Sequence, residues 1–334
     1  MIELRGLEVH FAGRQSIGAT LMGRQARVVR AVDGIDLRVE RGEIVALVGE
    51  SGSGKTTLGR AAVGAIAPTR GSILLDGQDV HGLKGQAKLD YHRRVQIIFQ
   101  DPYESLNPKE TVFDIVSEAL DVQRLARDPA ERAVRVERAL EEAGLRPATA
   151  YLERYPHELS GGQRQRVAIA AAMVLDPEIV VADEPVSMLD VSIRAGILRV
   201  MLDLREHRNV GFLFITHDLS LAWAFADRIA VMYLGKIVEI GSSEQIVHAP
   251  QHPYTRALLA VLPSRLAGRD RQRELLKGEI PDAYRLPPGC RFAPRCPVAF
   301  DRCRVEEPSL IPLAGGHASA CWLSAEDGGR RSAT

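Results

Sequence analysis

The chain has 334 residues, an apolar content of 46% and 43 basic residues against 43 acidic ones. That is the composition of a globular protein large enough for more than one folded unit. Zero net charge gives no electrostatic footprint for a nucleic-acid partner, and no apolar run approaches the ~20 residues needed to cross a bilayer. The start Met1-Ile2-Glu3-Leu4-Arg5 lacks a signal-peptide pattern, so the expected location is the cytosol, free or held at a membrane by other chains.

Ile2 to Phe11 reads as a first strand, and the polar, glycine-containing stretch Gly13 to Arg27 as a loop. Ile35 to Glu40 and Ile44 to Val48 read as further strands. After the last comes Gly49-Glu50-Ser51-Gly52-Ser53-Gly54-Lys55-Thr56, and Leu58 to Ala65 reads as the start of a helix. This is G-x-x-x-x-G-K-T in a strand–loop–helix setting, the phosphate-binding loop. Its glycines let the backbone wrap a polyphosphate without a Cβ clash, while amides and the helix N-terminus face the anion. Gly49, Ser51, Gly52, Ser53, Gly54, Lys55, Thr56 and Thr57 are the candidate ATP contacts. Lys55 would neutralise the β- and γ-phosphates, and Thr56 would hold Mg²⁺.

Ser72 to Leu75 and Val95 to Phe99 continue the strand pattern, with Asp76-Gly77 a turn. Residues 101–158 look helical. Asp128-Pro129-Ala130-Glu131 offers an N-cap, Pro at N1 and Glu at N3. The helix is predicted to run to Ala143 and stop at Gly144, with Ala133, Val136, Leu140 and Ala143 on one face. Leu159-Ser160-Gly161-Gly162-Gln163 precedes a helical segment from Arg164 to Leu175. Ile179 to Ala182 then reads as a buried strand ending in Asp183-Glu184. Phe212 to Thr216, Ile229 to Met232 and Lys236 to Ile240 read as strands, and the continuous apolar runs fit a parallel sheet covered on both faces. From Pro250 onward the chain is rich in Pro and Arg, and Arg265 to Lys277 reads as a solvated helix or linker. Cys290, Cys296, Cys303 and Cys321 all fall in the tail. Disulfides are rare in the cytosol, so this clustering favours metal ligation or chance.

The ordered set of phosphate loop, LSGGQ pentapeptide and acidic strand end resembles the ATP-binding cassette (ABC) family, and LSGGQ separates that family from other phosphate-loop proteins. The resemblance implies an α/β phosphate-loop NTPase of the ABC ATPase type: a RecA-like core, an antiparallel β subdomain and a helical subdomain. The cassette would span residues 1–248, with the helical subdomain at about 101–175. A Cys-containing extension would follow at 249–324 and a disordered tail at 325–334. Implied for Mg²⁺ are Thr56, Gln100 and Asp183. The implied catalytic group is Glu184, which activates the attacking water, His217, which contacts the γ-phosphate, and Gln100, which senses the membrane subunits. Alternation along a strand would send Asp183 and Glu184 to different sides. Ser160, Gly161, Gly162 and Gln163 would contact ATP bound to a second cassette, in a head-to-tail dimer with two ATPs between subunits. Ser187-Met188-Leu189-Asp190 matches the D-loop at that interface, with Met188 in place of the usual Ala. Phe11 is a candidate for stacking on adenine, or a core residue of its strand.

Phe99-Gln100-Asp101-Pro102-Tyr103-Glu104-Ser105-Leu106-Asn107-Pro108 is similar to the Q-loop of oligopeptide and dipeptide importers, and His252-Pro253-Tyr254-Thr255-Arg256-Ala257-Leu258-Leu259 to that group's C-terminal motif. Ala31-Val32-Asp33-Gly34 and Thr57-Leu58-Gly59-Arg60 look like the second of its two ATPase subunits. The resemblance then implies a [4Fe–4S] cluster on the four cysteines. Read from the residues, the spacing lacks the tight C-x2-C pairs common in zinc ribbons, and zinc or no metal are the alternatives.

The implied activity is ATP hydrolysis powering uptake of peptides at the cytoplasmic face of the inner membrane, where the chain would be peripheral. The implied partners are two transmembrane permeases, a second ABC ATPase (identical or sister) and an extracytoplasmic substrate-binding protein, with no nucleic acid. The same architecture could import nickel complexes or oligosaccharides. A soluble ABC ATPase of repair or translation would show long coiled-coil inserts or two cassettes, and the chain has neither.

Overall fold

The computed structural model describes residues 1–12, 28–126, 128–261 and 281–324, without the side chain of residue 104. The expectations for 13–27, 265–277 and 325–334 lie outside the described residues. In chain order the first elements are β1 (Ile2–Ala12), β2 (Val28–Val39), β3 (Ile44–Val48), α1 (Lys55–Ala62), β4 (Arg70–Leu75), β5 (Gln78–Asp79), α2 (Gly85–Arg94) and β6 (Val95–Ile98). A helical block follows: α3 (Pro102–Ser105), α4 (Val112–Gln123), α5 (Pro129–Glu142) and α6 (Gly161–Met173). Next come β7 (Ile179–Asp183), α7 (Val191–Arg208), β8 (Gly211–Thr216), α8 (Leu219–Phe225), β9 (Arg228–Tyr233) and β10 (Lys236–Ser242). The described chain closes with α9 (Ser243–His248), α10 (Pro253–Ala260), α11 (Asp301–Val305), β11 (Ile311–Pro312) and β12 (Ala318–Ser319).

Two sheets organise these elements. A four-stranded antiparallel sheet has the order β2-β1-β4-β5, and an eight-stranded sheet the order β11-β12-β10-β9-β3-β8-β7-β6. In the larger sheet β9, β3, β8, β7 and β6 run parallel, and β10, β12 and β11 add antiparallel at one edge. Every residue of β3, β7 and β8 is buried, as continuous apolar strands covered on both faces require. The two-residue period of β3 splits its side chains: Ile44, Ala46 and Val48 join one core, Val45 and Leu47 the other. The first core holds Val116, Leu120, Val136, Leu140 and Val167 of the helical block. The second holds Leu4, Leu7, Ile35, Leu37 and Ile73 of the antiparallel sheet. Each such fully buried aliphatic side chain contributes about 1.5–3 kcal/mol relative to exposure.

The helix expected after Asp128 forms as read. Asp128 accepts from the Glu131 N–H at 2.8 Å, Pro129 occupies the first turn, and Val136 and Leu140 are buried. Other boundaries shift. The second strand begins at Val28 rather than Ile35, because residues 28–33 continue the antiparallel ladder opposite β1, across register shifts that break the simple alternation. The helix after the phosphate loop begins at Lys55, and the one after LSGGQ at Gly161.

The C-terminal region is built into the larger sheet. Glu239 and Ile240 of β10 pair with Ser319 and Ala318 of β12. The fully buried Glu239 carboxylate accepts the Gln251 and His252 N–H groups at 2.6 and 3.0 Å and meets His317 Nε2 at 2.8 Å. One buried charge, satisfied three times over, thereby ties the linker into α10 and the terminal hairpin to the sheet.

Candidate active site

The carboxyl ends of four adjacent parallel strands deliver the polar residues to one edge. β3 runs into the phosphate loop, β8 ends before His217, β7 ends at Asp183 before Glu184, and β6 leads to Gln100. Ligands of open α/β sheets bind at this carboxyl edge. A cleft of about 580 Å³ opens there, lined by Ser51, Gly52, Gly54, Lys55, Thr56, Thr57, Gln100, Glu184 and His217. Its other wall is Val29, Arg30, Ala31, Leu234, Gly235, Ala283 and Leu286.

The loop is shaped by what cannot be there. Gly54 has φ +105°, and a Cβ on it would lie 1.9 Å from the Ala31 carbonyl oxygen. Only glycine fits that place. Lys55 is buried, and its Nζ donates to the Gly49 and Glu50 carbonyls at 2.8 and 2.9 Å. Burial lowers the Lys55 pKa, and the negative charges of Glu184, Asp183 and Glu50 hold it up. Thr56 Oγ1 donates to Asp183 Oδ1 at 3.2 Å. Burial and the neighbouring Glu184 charge push Asp183 up, against the Thr56 hydrogen bond and the Arg60 and Lys55 charges.

Glu184 lies just past the last residue of β7. Its φ of 47° is left-handed, which costs a non-glycine residue of order 1 kcal/mol. The Glu184 N–H donates to Ile215 O at 2.9 Å, and its carbonyl accepts from Ser187 Oγ at 3.0 Å, fixing the turn. The side chain thereby leaves the Asp183 direction. His217 Nδ1 at 3.0 Å and Gln100 Nε2 at 3.3 Å both meet Glu184 Oε2. Three residues from three strand ends share one carboxylate oxygen beside the phosphate loop.

Ser160, Gly161, Gly162, Gln163 and Asp190 are not among the residues lining this cleft. Ser160 and Gln163 form a reciprocal capping box: Ser160 Oγ accepts from Gln163 N, and Gln163 Oε1 accepts from Ser160 N at 2.9 Å. Gly162 packs so closely on α7 that a Cβ would lie 2.5 Å from Ile193 Cγ2. Asp190 is the N-cap residue of α7, and the nearby Met188 and Val191 are 62% and 80% exposed. Phe11 pairs opposite Val29 and is 43% exposed, so it is neither buried core nor a lining residue of the cleft. Gly49, Ser53 and Asp183 sit behind the lining, with Ser53 and Asp183 buried.

The four cysteines are free thiols lining one pocket, with Phe292, Phe300 and Trp322 around them. Burial pushes Cys290 up to about 11 and raises Cys296 and Cys321 as well. Among the described residues, the group of three metal-type donors converging within 4.8 Å is Glu8, His10 and Asp33, not the cysteines. Arg291 and Arg30 both pair with Asp33, which makes that trio an ion-pair hub rather than a cation site. Burial pushes Asp33 up, but the Arg291 hydrogen bond and charge, with His10 and Arg30, leave it lowered.

Sequence reasoning missed the second wall of the cleft. Arg30, Leu234 and Leu286 belong to no motif, and Ala283 and Leu286 come from beyond the undescribed 262–280 segment.

The model of the ABC transporter family matches residues 32–187, and that of the oligopeptide/dipeptide transporter C-terminal region matches 238–303. A Brucella ovis protein provisionally named a peptide import ATP-binding protein is 45% identical over 96% of this chain and 97% of its own length. The oligopeptide transport ATP-binding protein AppF of Bacillus subtilis is 42% identical over 97% of each chain. Among solved structures, the dimeric ATP-binding cassette MJ0796 bound to ADP and phosphate superposes with a TM-score of 0.63 at 27% identity, covering 73% of this chain and 99% of its own.

Proposed function

The chain belongs to the ABC transporter ATPases that carry an oligopeptide/dipeptide transporter C-terminal region, and from that premise we propose its reaction chemistry and assembly. It is the ATP-hydrolysing subunit of a peptide importer, and it works with membrane permease partners and as part of a dimeric ATPase. Among the described residues no helix is long and apolar enough to cross a membrane.

The observation that carries the catalytic reading is the convergence of Gln100 and His217 on Glu184 Oε2 at the mouth of the phosphate loop. Lys55 and the loop amides bind the β- and γ-phosphates, the role for which the Lys55 amine is held on two loop carbonyls. Thr56 and Asp183, already hydrogen-bonded to each other, would hold Mg²⁺ together with Gln100. The ion supplies charge neutralisation between phosphates. Glu184 accepts the proton of the attacking water, and His217 orients that carboxylate. Displacement is in line, and the protein contributes position and charge. Ser160, Gly161, Gly162, Gln163 and Asp190 complete the site of the second ATPase subunit across the dimer. Their absence from the lining of this chain's own cleft supports that role.

The four cysteines hold a [4Fe–4S] cluster that staples the extension. All four cysteines line one pocket, which supports a shared group held by them. The subunit sits at the cytoplasmic face of the membrane with two permeases, a second cassette ATPase and an extracytoplasmic substrate-binding protein.

The test is peptide uptake in native cells lacking the chain. Wild-type chain restores uptake and Lys55→Ala does not. Unimpaired peptide uptake without the chain would move the cargo to nickel complexes or oligosaccharides.

A further inference from the structure

One arginine of the extension reaches the phosphate loop and a second reaches the turn beside it, and no motif of the cassette accounts for them. Arg295 ends a short turn, Ala293–Arg295, that lies between Cys290 and Cys296. Its Nη1 and Nη2 meet the two carboxylate oxygens of Glu50 at 2.6 and 3.1 Å, a bidentate pair across 245 residues. The Arg295 side chain is 6% exposed and Glu50 26%. Tyr233 lies beside the guanidinium, and Tyr233, Tyr254 and Phe292 pack with ring centroids 4.7–5.4 Å apart on the Arg295 side of the pair. Glu50 is the second residue of the phosphate loop, and its backbone is held as firmly as its side chain. Its N–H donates to Tyr254 Oη at 2.9 Å, and its carbonyl accepts from Lys55 Nζ at 2.9 Å and from the Ser53 N–H at 3.2 Å.

Arg291, two residues before that turn, supports the loop indirectly. It pairs with Asp33, donates to the Leu234 carbonyl and meets Glu307 at 2.8 Å. The adjoining Gly235 N–H donates to the Ser53 carbonyl at 2.8 Å. One Cys-flanked segment thus holds Glu50 directly and Ser53 through the Leu234–Gly235 turn.

We propose that the C-terminal extension is a brace for the phosphate loop, with Arg295 a positioning residue for ATP binding that acts through Glu50. A loop already fixed in its binding shape does not spend binding energy on being ordered. Removing Arg295 leaves a half-buried carboxylate without its cation, and Glu50 then draws on water or on Lys55, the amine that the phosphates need. The expected signature is therefore in affinity and not in the chemical step. This inference rests only on the ATP-binding reading. It does not depend on cargo or on what the cysteines hold.

The experiment uses the full chain assembled in its transporter and measures KM for MgATP and kcat, with binding of a non-hydrolysable MgATP analogue to the purified chain as a second readout. Arg295→Ala should raise KM and the analogue Kd about tenfold with kcat within twofold, and Arg295→Lys should recover part of that loss as a single point charge. In a Glu50→Gln background Arg295→Ala should add little, since the charge left orphaned is already gone. Unchanged KM, a loss confined to kcat, or effects that multiply across the two sites would overturn the brace. If the wild-type chain itself bound no MgATP, the ATP-binding reading would fail and the brace with it, whereas wild-type binding with an unchanged Arg295→Ala would sink the brace alone.

Discussion

Glu184→Gln isolates the proposed chemical step. The substitution keeps size and one acceptor oxygen, so Gln100 or His217 retains a partner at the position now 3.3 or 3.0 Å from each. The amide cannot take a proton. Losing a positioned general base costs roughly 10²–10⁴ in rate, or about 3–5 kcal/mol in barrier. Binding should not suffer, because the Lys55, Thr56 and loop-amide contacts remain and one negative charge leaves the mouth of an anion site. Steady-state phosphate release from the assembled transporter should fall by at least a hundredfold. Analogue binding should hold or tighten, and gel filtration with MgATP should show a persistent dimer. Turnover within threefold of wild type would remove Glu184 as the base.

Gly162→Ala places a methyl against Ile193 Cγ2, where a Cβ would lie at 2.5 Å. It should displace the start of α6 from α7 and cut turnover severalfold, while MgATP binding to the separate chain, whose cleft Gly162 does not line, stays unchanged. His252, wholly buried, is lowered from 6.5 to about 4, chiefly by burial, and its Nδ1 accepts the Tyr254 N–H at 3.1 Å. The unfolded chain therefore binds the extra proton first, so stability is full above about pH 6.5 and declines as pH falls toward 4, by at most about 3 kcal/mol. Urea unfolding across that window should show the slope, and His252→Asn, which keeps a cap acceptor, should flatten it. Burial raises the Cys290, Cys296 and Cys321 thiols, so the proposed cluster would bind them only with loss of protons. Retention of iron, measured against absorbance of the purified chain, should weaken as pH falls, and Cys290→Ser should abolish it without changing secondary structure content.

The residues at the mouth of the cleft were legible because they sit in short, local patterns. The phosphate loop must have glycine at 54, where a side chain would strike the Ala31 carbonyl, and lysine next to it, and such constraints survive in the sequence as a motif. Gln100, Asp183, Glu184 and His217 could be found because each follows a recognisable apolar strand. The left-handed turn at Glu184 leaves no such trace, since only its surroundings fix it. The extension was legible as a cluster of cysteines but not as a part of the sheet. Its strands β11 and β12 have two residues each, too few for a period to show. Arg295 looked like any basic residue in an Arg-rich tail, because its partner lies 245 positions away. Tyr254 was read as part of a family motif, and its hydrogen bond to the Glu50 N–H gives that motif a physical job.

The most direct test of the central claim is purification of the tagged chain from native membranes with its partners identified by mass spectrometry. The account predicts two multi-span permeases and a second cassette ATPase, retained together in mild detergent. A chain recovered wholly in the soluble fraction, with no membrane protein bound, would contradict it.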